Sequence, residues 1–179
     1  RNLFILQAGD DLLRLLLFWG LFLPWNAHYA MDVRQGRALT TNRPLAGFGY
    51  LLLVASVYLC TVALKSGHQW HAERSAVYYA LSLEQLRLPV GDWLYGFPSA
   101  MRWLTRIVYL IEICIPILIL LPSKKGTLRF IAVLLVFVLQ IGIGLTLYVG
   151  LFFLISITAT LGLLPASVIN RLEGWFSLP

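Results

Sequence analysis

Apolar residues in this chain fall in long uncharged stretches instead of recurring at the intervals of a soluble amphipathic helix. A stretch of about 18 or more apolar residues is long enough to cross a bilayer as one helix. One long run near the end exceeds a single span, and we divide it at Gly142-Ile143-Gly144. The pattern then predicts five membrane helices, at about residues 11–29, 46–64, 101–121, 128–143 and 147–164.

Residues that favour helix ends lie beside several of these stretches. Asp10 precedes the first and is placed to accept hydrogen bonds from free helix N–H groups, and it lies four residues before Arg14, with which it is expected to pair. Pro122 and Pro165 follow the third and fifth segments, where a ring without an N–H ends a helix.

The connection between the second and third segments, residues 65–100, is long and rich in aromatic residues. Residues 75–86 predict a short amphipathic helix that lies in the membrane interface. Tryptophan and tyrosine concentrate at such interfaces. The aromatic residues of this region are Trp70, Tyr78, Tyr79, Trp93, Tyr95 and Trp103, of which the tryptophans are the predicted interfacial anchors.

The charged residues of the loops predict how the helices are oriented across the membrane. The chain is 59% hydrophobic and 12% charged, with a net charge of +6. Two basic loops carry much of the excess: residues 34–43, with three arginines, and residues 124–129, with two lysines and an arginine. Loops of this kind lie on the cytoplasmic side. The positive charge therefore indicates membrane topology, and no nucleic-acid partner is expected.

These observations predict an all-α fold, a polytopic membrane helix bundle that forms a single transmembrane domain over residues 1–179. The expected location is within a membrane, with membrane lipids and other membrane-protein subunits as partners. Cys60 and Cys114 lie within predicted helices and are interpreted as packing residues. His68 and His71 have no acidic partners at ligand spacing, so no metal site is expected.

The third segment carries a polar stripe within an arc of about 120° on one helix face. A polar stripe in a membrane helix should face protein or water. It is interpreted either as an interior salt bridge or hydrogen bond that fixes packing, or as the wall of a substrate cavity. Glu112 is expected to face the interior near Arg14, Lys65, Arg129 or Tyr58. The stripe comprises Arg102, Thr105, Arg106, Tyr109 and Glu112.

The second segment ends at a lysine that shares a face with Tyr58 and Thr61. Lys65 is interpreted either as a helix-end lysine whose ammonium reaches the headgroups, or as a desolvated amine that accepts a proton. In the second case it points toward the third segment, and the aromatic residues after it cover that end. Gln140, in the fourth segment, is expected to hydrogen-bond between helices.

Several runs resemble the HTTM family, the membrane domains related to vitamin K-dependent gamma-carboxylase, and in particular its bacterial members. They occur in the family's order across nearly the whole chain. They are the stretch from Gly9 to Trp19, Ala63-Leu64-Lys65-Ser66-Gly67-His68-Gln69-Trp70, Ala76-Val77-Tyr78-Tyr79-Ala80-Leu81, Glu112 with Pro116, Pro122 with Arg129, Gly142-Ile143-Gly144-Leu145-Thr146, and Gly150-Leu151-Phe152.

The resemblance implies that Lys65, five residues before Trp70, is a catalytic base acting on a quinone-like lipid, while Gln140 stands where the family pattern implies histidine. It also implies a partial family member, without the family's upstream helices or large lumenal domain. The residues themselves identify no cofactor. Three functions stay open: a non-catalytic accessory subunit, a membrane enzyme using Lys65, and a transporter or lipid-handling protein.

Overall fold

The computed structural model describes residues 8–23, 44–123 and 125–176, with side chains to residue 174. Within these ranges the chain forms helices and no strand beyond one isolated bridge. In chain order the helices are α1 (Ala8–Gly20), α2 (Pro44–Leu64), α3 (His68–His71), α4 (Ala76–Leu81), α5 (Pro89–Tyr95), α6 (Pro98–Leu120), α7 (Thr127–Thr146), α8 (Phe152–Leu161) and α9 (Ala166–Phe176).

Three of these helices are long and apolar enough to cross a membrane. They are α2, α6 and α7, with 21, 23 and 20 residues. A fourth span results if α8 and α9, which meet at an angle of 94°, count as one broken helix. The second and third predicted segments are therefore confirmed as helices of membrane-spanning length. The first is present as the 13 residues of α1. The remainder of that segment, from residue 24, lies outside the described part of the chain.

The division between the fourth and fifth segments was predicted at the wrong place. Helix α7 continues through Gly142 and Gly144, and its last bond runs from the N–H of Leu147 to the carbonyl of Ile143 at 2.8 Å. Gly144 serves close packing instead, because a Cβ there would lie 2.9 Å from the Phe153 ring. The chain turns at residues 147–151, so α8 is shorter than the predicted span of residues 147–164.

The long connection folds into three short helices, α3 to α5. The predicted interfacial helix is shorter than residues 75–86, and α3 and α5 were not predicted. This connection pairs with the end of α7: Leu88 donates its N–H to Thr146 at 3.0 Å, and Tyr148 donates to Leu86 at 2.7 Å. The connection and the α7–α8 turn thus lie at the same end of the bundle, as the alternating topology predicts.

The core forms where α6 packs between α2 and α7, and where α8 packs against α7. Small residues on three of these helices are fully or almost fully buried, namely Ala55, Ala132 and Ala159. Small side chains let membrane helices approach closely. Cys60 and Cys114 were predicted to pack inside, but both are exposed. They point away from the helix contacts and present a small apolar surface to the surroundings.

At the opposite end, the start of α7 lies against the junction of α8 and α9. Gly126 has φ 69°, and a Cβ on it would lie 2.7 Å from Pro165, so only glycine fits there without strain. On α1, Arg14 pairs with Asp11 at 3.1 Å, three residues before it, where the sequence had suggested Asp10. Residues three apart are neighbours on a helix as much as residues four apart.

Candidate functional site

The amine of Lys65 lies at the centre of the most polar contact inside the bundle. Lys65 follows the last residue of α2, and its Nζ donates a hydrogen bond to Glu112 Oε2 of α6. The lysine side chain is 16% exposed and the glutamate side chain 8% exposed. The contact is therefore a nearly buried ion pair between two helices. Of the four partners considered for Glu112, the structure selects Lys65.

Helix geometry explains which members of the polar stripe face inward. At 100° per residue, Thr105 lies about 20° from Glu112 around α6, whereas Arg106 lies about 120° away. Thr105 is buried, donates to the carbonyl of Met101 at 2.9 Å and accepts the N–H of Val77 at 3.1 Å. Arg106 is exposed, so its placement in an interior polar wall is not supported.

Aromatic residues of α3 cover the ion pair. The Trp70 ring centroid is 4.2 Å from Lys65 Nζ, at the distance of a cation–π contact. Tyr109 of α6 lies beyond it, with ring centroids 6.4 Å from Trp70 and 5.0 Å from His71. His71 Nε2 is also 2.9 Å from the Lys65 carbonyl oxygen. The histidine therefore holds the backbone at the end of α2, a role that the sequence pattern did not suggest.

A second polar group lies deeper in the bundle. Gln140 Nε2 donates to the Tyr58 hydroxyl at 3.5 Å, and both side chains are buried. Gln140 Oε1 and Ser156 Oγ are buried without a hydrogen-bond partner among the described residues. A void of about 10 Å³ lies between Tyr58 and Ser156. Thr61 bonds back to the Tyr58 carbonyl at 2.8 Å and so belongs to its own helix.

A third cluster joins α4 and α5 near the surface. The rings of Tyr78 and Tyr95 stack at 4.9 Å, and the Tyr95 hydroxyl donates to that of Tyr78 at 3.0 Å. This hydrogen bond, with a smaller contribution from desolvation, raises the pKa of Tyr95 above its ordinary value. The Arg87 guanidinium lies 4.6 Å from the Tyr95 centroid and pairs with Asp92. Sequence spacing did not reveal this cluster, because Pro89 starts a new helix between the two charged residues.

The interfacial tryptophans differ in placement. Trp93 and Trp103 are 68% and 65% exposed, whereas Trp70 is turned toward Lys65. The rings of Trp93 and Phe97 lie 5.2 Å apart on the outer surface. Exposed indoles at one end of the spanning helices are typical of residues at a membrane interface.

Together these contacts define a class: an all-helical protein with apolar helices of membrane-spanning length and an interior lysine–glutamate pair under an aromatic cover. No family model, curated protein or solved structure matches the chain. The evidence for the candidate site is therefore the geometry of the residues that form it.

Proposed function

We propose that this chain is an HTTM-like integral membrane protein with a non-catalytic, accessory role, packing against other membrane proteins of a bacterial inner membrane. The observation that carries the proposal is that the Lys65 amine is already engaged by two side chains of the protein. Glu112 accepts its hydrogen bond and Trp70 covers it at 4.2 Å. While both contacts are made, the amine is engaged within the protein, which favours a structural role over a catalytic one.

The structural role of the pair follows from where its members lie. Lys65 directly follows α2, and Glu112 lies within α6, so the contact joins the two helices that make the most extensive interface of the bundle. A charge inside a membrane protein is costly unless it is paired. Each member therefore requires the other, and the pair sets how far α2 and α6 can slide along each other.

The outer surface of the bundle is apolar, as expected for a protein that contacts lipids and other membrane proteins. Large apolar side chains are exposed on each of the three longest helices, including Leu59 on α2, Ile117 on α6 and Val138 on α7. Soluble monomeric proteins rarely expose contiguous apolar surface over whole helices. Five membrane helices, with both basic loops in the cytoplasm, form part of the same proposal.

Photo-crosslinking in native membranes tests the accessory role. A photoreactive phenylalanine at Leu134, 49% exposed, is compared with one at Val136, fully buried on the same helix α7. We expect a discrete protein adduct from position 134 and only intramolecular products from position 136. The Lys65→Met/Glu112→Leu variant should give the same adduct, because it replaces the pair by apolar contacts. If position 134 and matching exposed sites on α2 and α6 label lipid alone, the accessory role is wrong.

A second candidate function rests on the approach of Lys65 to Trp70, the two residues whose spacing resembles the carboxylase pattern. In that function Lys65 takes a proton from a quinol-type lipid, which requires its contact with Glu112 to open. The purified protein in lipid nanodiscs would then consume a naphthohydroquinone under air faster than the Lys65→Met/Glu112→Leu variant does. Equal rates for the two proteins favour the accessory role.

A further inference from the structure

A small pocket on the surface is lined by two arginines that the Lys65 site does not use. It has a volume of about 220 Å³ and is formed by Arg74, Ser99, Arg102 and Trp103. Arg102 lies ten residues before Glu112 on α6, which is about 15 Å along the helix at 1.5 Å per residue. The pocket is therefore distinct from the ion pair and lies nearer to the N-terminal start of α6.

The charges of this pocket are not balanced within the described part of the chain. There, neither Arg74 nor Arg102 forms an ion pair or a side-chain hydrogen bond. The neighbouring acid, Glu73, accepts a hydrogen bond from the Ser75 hydroxyl at 3.0 Å. Two cations that face one pocket repel each other, and an anion placed between them removes that cost.

The backbone presents one of these arginines in a fixed way. Arg74 has φ 55°, a left-handed conformation that residues other than glycine adopt rarely. The residues on either side are held by hydrogen bonds from the Glu73 N–H to the His68 carbonyl at 3.0 Å and from the Ser75 N–H to the Gln69 carbonyl at 2.8 Å. The turn after α3 thus positions the Arg74 side chain beside the start of α6.

The other two lining residues indicate the kind of anion. The Ser99 hydroxyl is an additional hydrogen-bond donor, and the Trp103 indole is 65% exposed, as in residues at the lipid headgroups. Guanidinium groups bind phosphate oxygens through paired, charge-assisted hydrogen bonds. We propose that Arg74 and Arg102, with Ser99, bind a phosphate group, carried either by an anionic phospholipid headgroup or by a soluble phosphate compound.

The test compares the wild-type protein with an Arg74→Asn/Arg102→Gln variant. Asparagine tolerates the left-handed backbone at position 74, so this variant removes both charges without straining the turn. Arg106→Gln is the matched control, because it removes one exposed cation one turn further along α6, outside the pocket. Native mass spectrometry from detergent counts retained phosphatidylglycerol and phosphatidylcholine. Thermal unfolding with added pyrophosphate or sodium chloride at equal ionic strength measures binding of a soluble phosphate.

We expect the wild-type protein and Arg106→Gln to bind at least one of the two anionic probes, phosphatidylglycerol or pyrophosphate, at least tenfold more tightly than the double variant. Selective loss of phosphatidylglycerol identifies a lipid headgroup as the source, and selective loss of the pyrophosphate effect identifies a soluble compound. The proposal is overturned if the double variant binds both probes as the wild type does, or if Arg106→Gln weakens binding as much as the double variant. Equal thermal unfolding midpoints of the three proteins without added phosphate report that the variants are folded.

Discussion

Removing the carboxylate of Glu112 should destabilise the bundle. Glu112→Leu leaves the Lys65 ammonium without its acceptor in a position where only 16% of the side chain is exposed. Breaking one half of a buried ion pair costs about 3–5 kcal/mol of unfolding free energy. We expect the lower end of this range, about 3 kcal/mol, because Trp70 still contacts the cation and the lysine stem can extend toward the interface.

The Lys65→Met/Glu112→Leu double variant distinguishes the effect of an unpaired charge from the effect of lost packing. Replacing both charges by apolar side chains removes the unpaired cation, and such replacements are often neutral or stabilising. We therefore expect the double variant to lie within about 1 kcal/mol of the wild type, whereas Glu112→Leu alone does not. The coupling energy between Lys65 and Glu112 is obtained when Lys65→Met alone is measured as well, by subtracting the changes of the two single variants from that of the double variant.

The measurement is reversible unfolding in mixed detergent micelles, followed by circular dichroism. Glu84→Leu is the matched control, because it makes the same substitution at an exposed position and should change stability by less than about 0.5 kcal/mol. If Glu112→Leu unfolds together with the wild type and with Glu84→Leu, the ion pair does not hold α2 to α6. If the double variant is as unstable as Glu112→Leu, the loss comes from packing and not from charge.

Three further predictions test packing, pH dependence and topology. On α2, Gly47→Ala should stabilise by about 0.5–1 kcal/mol, because a Cβ meets nothing within 4 Å there. Gly49→Ala should destabilise by about 1–3 kcal/mol, because its Cβ would lie 2.4 Å from the Trp19 ring. Since the pKa of Tyr95 is raised by its bond to Tyr78, the folded state holds its proton more tightly than the unfolded chain. Stability should therefore fall as the pH rises above about 10, and less so in Tyr95→Phe. Cysteines placed in the two basic loops of a cysteine-free protein should react with an impermeant maleimide from one and the same side of the membrane.

Each of these has an outcome that contradicts it. Equal unfolding midpoints for the Gly47 and Gly49 variants would show that Trp19 moves aside freely. An alkaline transition unchanged in Tyr95→Phe would mean that other groups control it. Labelling of the two basic loops from opposite sides would require an odd number of spans between them, and the proposed topology would have to be redrawn.

The sequence predicted the candidate site in part. The heptad-like spacing of Tyr58 and Lys65 on one helix, and the depth of Glu112 on another, were sufficient to expect an interior partner for the carboxylate. Spacing could not choose that partner, because a cation at the end of one helix can meet several points along another. Arg106 was grouped with the interior residues because an arc of about 120° is wide enough to span both the buried and the exposed face of a helix.

The sequence alone determined the class of the protein, since an apolar stretch of membrane-spanning length must satisfy its backbone within a helix. It also located α2 and α6 to within a few residues. Only the tertiary structure decided that Gly142 and Gly144 continue α7, that Lys65 meets Glu112 under Trp70, and that two arginines line one surface pocket. These features depend on how far the helices slide and rotate against each other, and that choice is made by packing between residues distant in the chain.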